Sequence, residues 1–167
     1  MITNKMLFWR FVSLYELGIL LIIVYTIILT KSRSTQNYRI LKKFLVWNLI
    51  THIMVSISKN SLGSLEINRR PKDARNCNSL SMGGDCSSSP GFPSGHSTGA
   101  AFIFMYFLIH QNCFVTWKKT IIFWFTLAFC ILVPIARVQM KCHTLIQVFA
   151  GVTFGFFTAC LSSWFPS

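Results

Sequence analysis

The sequence predicts an all-α integral membrane helix bundle with about five transmembrane helices, and three observations support this fold class. The chain has 167 residues, which is enough for one domain. It is 53% hydrophobic and only 12% charged, unlike an average soluble protein. Its apolar residues also fall into separated runs, and a spanning helix needs roughly 20 of them, with about 17 as the lower limit.

These apolar runs predict five spans in a single domain, 1–167. The spans are placed at about 11–30, 44–58, 96–110, 120–136 and 144–165. The first, fourth and fifth runs are long enough to cross a bilayer alone, whereas the second and third need support from neighbouring helices or flanking turns. A cleavable signal peptide explains the first run poorly, because the apolar core is long and Lys31 and Arg33 follow it without a small-residue cleavage site.

The distribution of basic residues predicts the partners and the orientation of the bundle. A formal net charge of +12 would suggest nucleic acid in a soluble protein. Here many basic residues stand at the ends of apolar runs, so we expect membrane lipids and phosphate groups as partners, and no nucleic acid. The first connection is the most crowded, with Lys31, Arg33, Arg39, Lys42 and Lys43. The positive-inside rule makes it cytosolic, provided that basic residues on the other side bind phosphate. The sequence specifies no oligomeric state.

A turn at 91–97, with the sequence Gly-Phe-Pro-Ser-Gly-His-Ser, opens the third apolar run. It reads as a helix start, with serine and threonine as capping candidates. Such a start presents unpaired N–H groups and the positive end of the helix dipole, and glycine lets the backbone approach an anion. The turn therefore suits a phosphate, and His96 stands where a general acid can meet a leaving oxygen.

A second pair of residues, Arg137 and His143, lies between the fourth and fifth runs. A guanidinium clamps phosphate oxygens, and an imidazole can attack phosphorus once a neighbour fixes its tautomer. A snorkelling arginine and a helix-start histidine would explain each residue alone. However, the count of five spans places both residues on the same outer, non-cytosolic side as His96, which favours one active site there.

Two of the six cysteines, Cys77 and Cys86, share the long polar loop 59–95. They are expected to pair if that loop faces an oxidising compartment. The other four lie in or near apolar runs, where free thiols are expected: Cys113, Cys130, Cys142 and Cys160.

The segments 93–97 and 137–143 resemble the second and third signatures of the type 2 phosphatidic acid phosphatase superfamily of membrane lipid phosphatases. The first signature of that family is a lysine, six residues, and then Arg-Pro. Here Arg70 and Pro71 are present, but ten residues separate Lys59 from Arg70. Either four residues are inserted or Lys59 has a different role. The resemblance covers about residues 59–155.

The resemblance implies hydrolysis of a phosphomonoester or pyrophosphate through a phosphohistidine, without a metal or other cofactor. His143 would be the nucleophile and His96 the acid that protonates the leaving oxygen. The phosphoryl oxygens would be bound by Lys59, Arg70, Ser94, Gly95 and Arg137. The small number of carboxylates agrees with this, since four are too few to favour a two-metal site: Glu16, Glu66, Asp73 and Asp85.

One departure from the family concerns the catalytic set. Most members have an aspartate four residues after the nucleophilic histidine, where this chain has Gln147. A glutamine carbonyl can accept the Nδ1–H bond and set the tautomer, but it brings no charge, so we expect a less activated imidazole. The run 143–148, His-Thr-Leu-Ile-Gln-Val, resembles the third signature of dolichyl pyrophosphate phosphatases. We therefore expect an active enzyme.

The expected substrate is a lipid phosphate. A polyprenyl (dolichyl-type) pyrophosphate comes first, a phosphatidate-like lipid second, and a soluble sugar phosphate third. The membrane would be the endoplasmic reticulum or another internal membrane if the cell is eukaryotic. Two alternatives remain open. One is a transferase that passes a phospho group to another lipid, and the other is a catalytically decayed phosphatase-like structural protein.

Overall fold

The structure, a computed structural model, describes residues 8–9, 12, 35–75, 77, 84–113 and 116–165. This part of the chain forms four long helices: α1 (Thr35–Ser61), α2 (Gly95–Ile109), α3 (Thr116–Gln139) and α4 (Leu145–Trp164). Two short 3₁₀ helices cover Glu66–Asn68 and Gln111–Cys113. The described residues contain no β-strand, and Arg75 and Asp85 form an isolated bridge. The predicted first span, 11–30, lies outside the described residues except for Val12.

Three of the helices are long and apolar enough to cross a membrane, through Tyr38–Ser61, Thr120–Gln139 and Leu145–Trp164. The fourth, α2, is apolar but only 15 residues long. The chain is therefore an integral membrane protein.

The helix α1 is longer than the span predicted at 44–58. It begins before Lys42 and Lys43 because long basic side chains can lie along a helix end and carry their charge to the membrane surface. Lys43 does so by donating to the carbonyl of Phe165 at 2.6 Å. At its other end α1 continues to Ser61, so Lys59 lies in the last helical turn and not in the loop.

Helices α2 and α4 pack closely against each other. Gly151 and Gly155 lie one turn apart on α4 and face α2. A Cβ atom added to Gly151 would lie 2.6 Å from the carbonyl oxygen of Ser94, and one added to Gly155 would lie 2.8 Å from the amide nitrogen of Phe102. Small residues allow such contact in membranes, where helices associate by packing more than by the hydrophobic effect. This contact fixes the position of α2 against α4.

An aromatic cluster packs α1 against α2 in the half of the bundle that contains the start of α1. The rings of Phe44 and Tyr106 meet edge to face with centroids 5.3 Å apart, and Phe102 and Phe107 complete the cluster. The hydroxyl of Tyr106 donates to the carbonyl of Ile40 at 2.8 Å. The buried hydroxyl is thereby satisfied, as a membrane interior requires.

The opposite end of the bundle gathers four helix ends. Lys59 at the end of α1 lies beside Gly95 at the start of α2. The amide of Ser94 donates to the carbonyl of Gln147 at 3.0 Å, which joins the starts of α2 and α4. A short turn connects the end of α3 to α4. The polar side chains of the predicted site therefore come together at this end.

Candidate active site

A tight turn after α3 places His143 against Arg137. The carbonyl of Arg137 accepts the N–H groups of both Cys142, at 3.0 Å, and His143, at 3.3 Å. Lys141 has a φ of 55°, the left-handed conformation that commonly closes the end of a helix. The carbonyl of Arg137, at the end of α3, thus receives its hydrogen bonds from the same backbone segment that positions His143, the predicted nucleophile.

The side chain of Gln147 fixes the tautomer of His143. Its Nε2 donates to the carbonyls of Ile67, at 2.9 Å, and Arg69, at 2.8 Å. Two carbonyl partners require the amide nitrogen on that side, so the amide oxygen faces the Nδ1 atom of His143, at 3.1 Å. The same oxygen accepts the N–H of Thr144 in a capping box at the start of α4. Nδ1 must therefore carry the proton, and Nε2 carries the lone pair.

The environment of His143 keeps its ring neutral. The side chain is only 2% exposed. This burial lowers its pKa well below the usual histidine value, and the positive charges of Arg137, Arg70 and Lys59 lower it further. The hydrogen bond to Gln147 acts in the opposite direction and is the smallest of these effects. A neutral ring with a free Nε2 atom is the form of histidine that acts as a nucleophile.

The start of α2 differs in one respect from the expectation. Ser94 is the N-cap residue, but its side chain makes no capping hydrogen bond. It is fully buried, and its Oγ atom accepts a hydrogen bond from the hydroxyl of Ser97 at 3.0 Å. Helix α2 itself begins at Gly95, so His96 lies in the first turn, where the backbone N–H groups have no partner within the helix.

Lys59 reaches the start of α2 despite its long spacing from Arg70. Its Nζ atom lies 3.9 Å from the position that a Cβ on Gly95 would occupy. His96 interacts electrostatically with four groups at this end of the bundle: Lys59, Arg70, Arg137 and His143. The structure thus brings both histidines and all three predicted cations into one cluster, which we call the His-cation cluster.

Backbone carbonyls hold the two arginines of this cluster. Arg137 is 1% exposed, and its Nη2 atom donates to the carbonyl of Cys77 at 2.6 Å. Arg70 donates through Nε to the carbonyl of Pro90 at 3.3 Å and through Nη1 to that of Cys142 at 3.5 Å. Each guanidinium is therefore oriented by the loop and the turn before any ligand binds.

The disulfide differs from the predicted one. Cys77 bonds to Cys142, with their Cα atoms 5.4 Å apart, so the predicted Cys77–Cys86 pair and the predicted free thiol at Cys142 are wrong. The reason is tertiary, because Arg137 binds the carbonyl of Cys77 and draws the loop onto the α3–α4 turn. Cys86, Cys130 and Cys160 are free cysteines, and the last two agree with the expectation.

Three further residues shape the site, and sequence reasoning did not assign them a role. A Cβ on Gly91 would lie 2.7 Å from both the nitrogen and the oxygen of the Gln147 amide, so a larger residue there would have to displace that amide. Gly155 carries the helix contact described above, and its spacing from Gly151 is the small-xxx-small pattern that could have revealed it. Asn68 is 2% exposed and bonded on both sides of its amide, and no local sequence signal marks it.

A cluster of two histidines and three cations, in which Arg137 and His143 are buried, lies at one end of an apolar helix bundle. This arrangement characterises an integral membrane protein with a site suited to an anion. The profile of the PAP2 superfamily matches residues 40–167. The chain therefore belongs to the PAP2 superfamily. None of the curated proteins matches the chain.

A solved structure shares the fold. It is the crystal structure of the first transmembrane PAP2 type phosphatidylglycerolphosphate phosphatase from Bacillus subtilis, with a TM-score of 0.63 and 20% sequence identity. The similarity covers 96% of this chain and 74% of that one. At this identity the likeness establishes the fold and not the substrate.

Proposed function

We propose that the protein hydrolyses a phosphate monoester or pyrophosphate of a membrane lipid through a phosphohistidine on His143. The observation that carries the proposal is the 3.1 Å contact between Nδ1 of His143 and Oε1 of Gln147. It leaves Nε2 as the nucleophilic nitrogen inside the His-cation cluster. Membership of the PAP2 superfamily and the phosphatase named for the structural neighbour support the same class of reaction.

The proposed reaction has two steps. In the first, Nε2 of His143 forms a bond to phosphorus, the bond from phosphorus to the leaving oxygen breaks, and His96 donates a proton to that oxygen. In the second, water attacks the phosphohistidine, His96 accepts a proton from the water, and the phosphorus–nitrogen bond breaks to release phosphate. Lys59, Arg70 and Arg137 offset the negative charge on the phosphoryl oxygens in both steps, and neither step needs a metal.

Apolar side chains beside the site support a lipid substrate over a soluble one. Leu145, Ile146 and Phe149, in the first turns of α4, are 72%, 64% and 74% exposed. Ile67, whose carbonyl accepts a hydrogen bond from the Gln147 amide, is also exposed, at 43%. Exposed apolar groups of this kind contact the hydrocarbon of a membrane. The phosphate of an amphiphile can then approach His143 from the membrane plane.

Two lipid classes are the proposed substrates. A polyprenyl (dolichyl-type) pyrophosphate is the first, on the resemblance of the run 143–148. A phosphatidate-like lipid is the second, and the lipid phosphatase activity named for the structural neighbour favours it. Both present a terminal phosphoryl group to His143, so the two-step reaction is the same for each.

The site is proposed to face the non-cytosolic side of an internal membrane. The disulfide between Cys77 and Cys142 supports this orientation, because disulfides persist in oxidising compartments. It joins the loop to the residue before His143, so the loop and the site face the same compartment.

The purified protein in detergent is expected to release inorganic phosphate from at least one of the two lipids. When the reaction with a radiolabelled lipid is stopped in alkali, acid-labile label is expected on the peptide that contains His143. Release from neither lipid would contradict hydrolysis and favour a decayed structural protein. Label that passes to an alcohol in place of water would favour a transferase.

Gln147→Glu is expected to lower kcat/KM by about 100-fold, although a carboxylate is the usual group of the family at this position. The change removes both donors to the partly buried carbonyls of Ile67 and Arg69 and sets a carboxylate oxygen against them. The new charge also raises the pKa of His143 by stabilising its protonated form. The acid limb of the pH–rate profile should therefore move to higher pH.

The matched control for this substitution is Gln111→Glu, which adds the same charge at an exposed residue after α2. It should leave both kcat/KM and the pH profile unchanged. If Gln147→Glu were as active as the unsubstituted protein, or more active, the two hydrogen bonds to the loop would be irrelevant to catalysis.

A further inference from the structure

The connection between Lys59 and Arg70 folds back on itself. After α1, the amide of Leu62 donates to the carbonyl of Ser58, and that of Gly63 donates to the carbonyl of Asn60. Gly63 has a φ of 46°, so the chain reverses direction at a residue without a side chain. The 3₁₀ helix Glu66–Asn68 then takes up more of the connection. The ten intervening residues therefore span a short distance.

One side chain closes this connection. The Nδ2 atom of Asn68 donates to the carbonyls of Lys59 and Gly63, both at 2.9 Å. Its Oδ1 atom accepts the N–H groups of Phe92, at 3.0 Å, and Gly91, at 3.1 Å. Asn68 is 2% exposed, its bond with Gly91 is buried, and the other three bonds are partly buried. Two donors on one side and two acceptor contacts on the other fix the orientation of the amide.

We propose that Asn68 is a positioning residue that brings Lys59 and Arg70 to the same phosphoryl group. It does so by fastening the end of α1, through the Lys59 carbonyl, to the turn that precedes His96, through Phe92. Asn68 does not contact the substrate itself. The inference rests on the proposed function, because it assigns the phosphoryl group of the substrate as the ligand of Lys59.

Substitution of Asn68 by aspartate tests the donor side of the amide separately from its acceptor side. Asn68→Asp keeps an oxygen for the N–H groups of Gly91 and Phe92, but it sets a second oxygen against the carbonyls of Lys59 and Gly63. We expect kcat/KM for the lipid phosphate to fall about 30-fold, within the range of coupling between residues in direct contact. The matched control, Asn60→Asp, changes an exposed asparagine in the last turn of α1 and should have no effect.

A double-mutant cycle with Lys59 distinguishes positioning from a general loss of structure. If Asn68 acts through Lys59, then adding Asn68→Asp to Lys59→Met should lower kcat/KM by no more than about threefold further. If the losses of kcat/KM from Asn68→Asp and Lys59→Met multiplied fully in the double variant, the proposal would be overturned. It would also be overturned if Asn68→Asp were as active as the control Asn60→Asp. Formation of the Cys77–Cys142 disulfide reports that each variant is folded.

If Asn68→Asp does not fold, the cycle is repeated with Asn68→Ala, which adds no charge and retains the 2.7 Å backbone bond from Gly91 to the residue 68 carbonyl. Failure of both variants to fold would show a structural role and overturn the proposal. If the unsubstituted protein and Asn60→Asp release no phosphate from any lipid, the proposed function fails, and this inference fails with it. If both of these proteins are active but Asn68 and Lys59 show no coupling, only the inference about Asn68 fails, and the proposed function stands.

Discussion

His143→Gln is expected to lower phosphate release by at least about 1000-fold, because the amide cannot form the covalent bond to phosphorus. His96→Gln should lower it by about 100-fold with a lipid alkoxide as leaving group, within the usual range for a general acid. With p-nitrophenyl phosphate, whose leaving group departs without a proton, the His96→Gln loss in the first step, the release of p-nitrophenol in the first turnover, should be less than about tenfold. The His143→Gln loss should be the same with both leaving groups.

Release of the leaving group from each substrate in the first turnover measures this difference, because it excludes the second step, in which His96 acts as the base. His110→Gln is the matched control, because His110 follows the far end of α2. Equal losses for His96→Gln with both leaving groups would contradict its role as the acid. Retention of activity in His143→Gln would contradict the phosphohistidine and the proposed function with it.

Gly155→Ala is expected to destabilise the bundle by at least about 3 kcal/mol, the upper range for an overpacked contact. The added Cβ would meet the carbonyl oxygen of Thr98, the amide nitrogen of Phe102 at 2.8 Å and the Cβ atom of Ala101 at 2.9 Å. Two of these atoms belong to the backbone of α2 and cannot rotate away. Helices α2 and α4 would have to separate, which would also move His96 away from His143.

Thermal unfolding in detergent measures the loss of stability. Gly84→Ala is the matched control, because a Cβ there meets no atom within 4 Å. A Gly155→Ala protein that unfolds at the temperature of the unsubstituted protein would show that the contact between the two helices is not close.

The sequence was sufficient to predict that the central residues of the candidate site lie together at one end of the bundle. His96, Arg137 and His143 stand in compact motifs at helix ends, and a motif of this kind sets local geometry by itself. The helical class followed from the apolar runs, since a membrane leaves few other structures for the backbone. The starts of α1 and α3 were placed less well, because polar and charged residues extend each helix beyond its apolar run.

The long-range contacts that hold the site residues in place could not be predicted from the sequence. The partner of Cys77 is 65 residues away along the chain, and only the fold brings the two together. Asn68 joins three separate segments, and the amide of Gln147 binds a loop 78 to 80 residues upstream. Such contacts leave no periodicity or local motif in the sequence.

The capping box at the start of α4 links helix fraying to the chemistry of the site. The ends of helices open locally with free energies near zero unless other contacts secure them. Here an opened first turn would release Gln147 from Thr144, and with it the bond that orients His143. The bonds from Gln147 to the carbonyls of Ile67 and Arg69 oppose that opening. Under the proposed function, only molecules in which this turn is closed hold His143 in the orientation for attack.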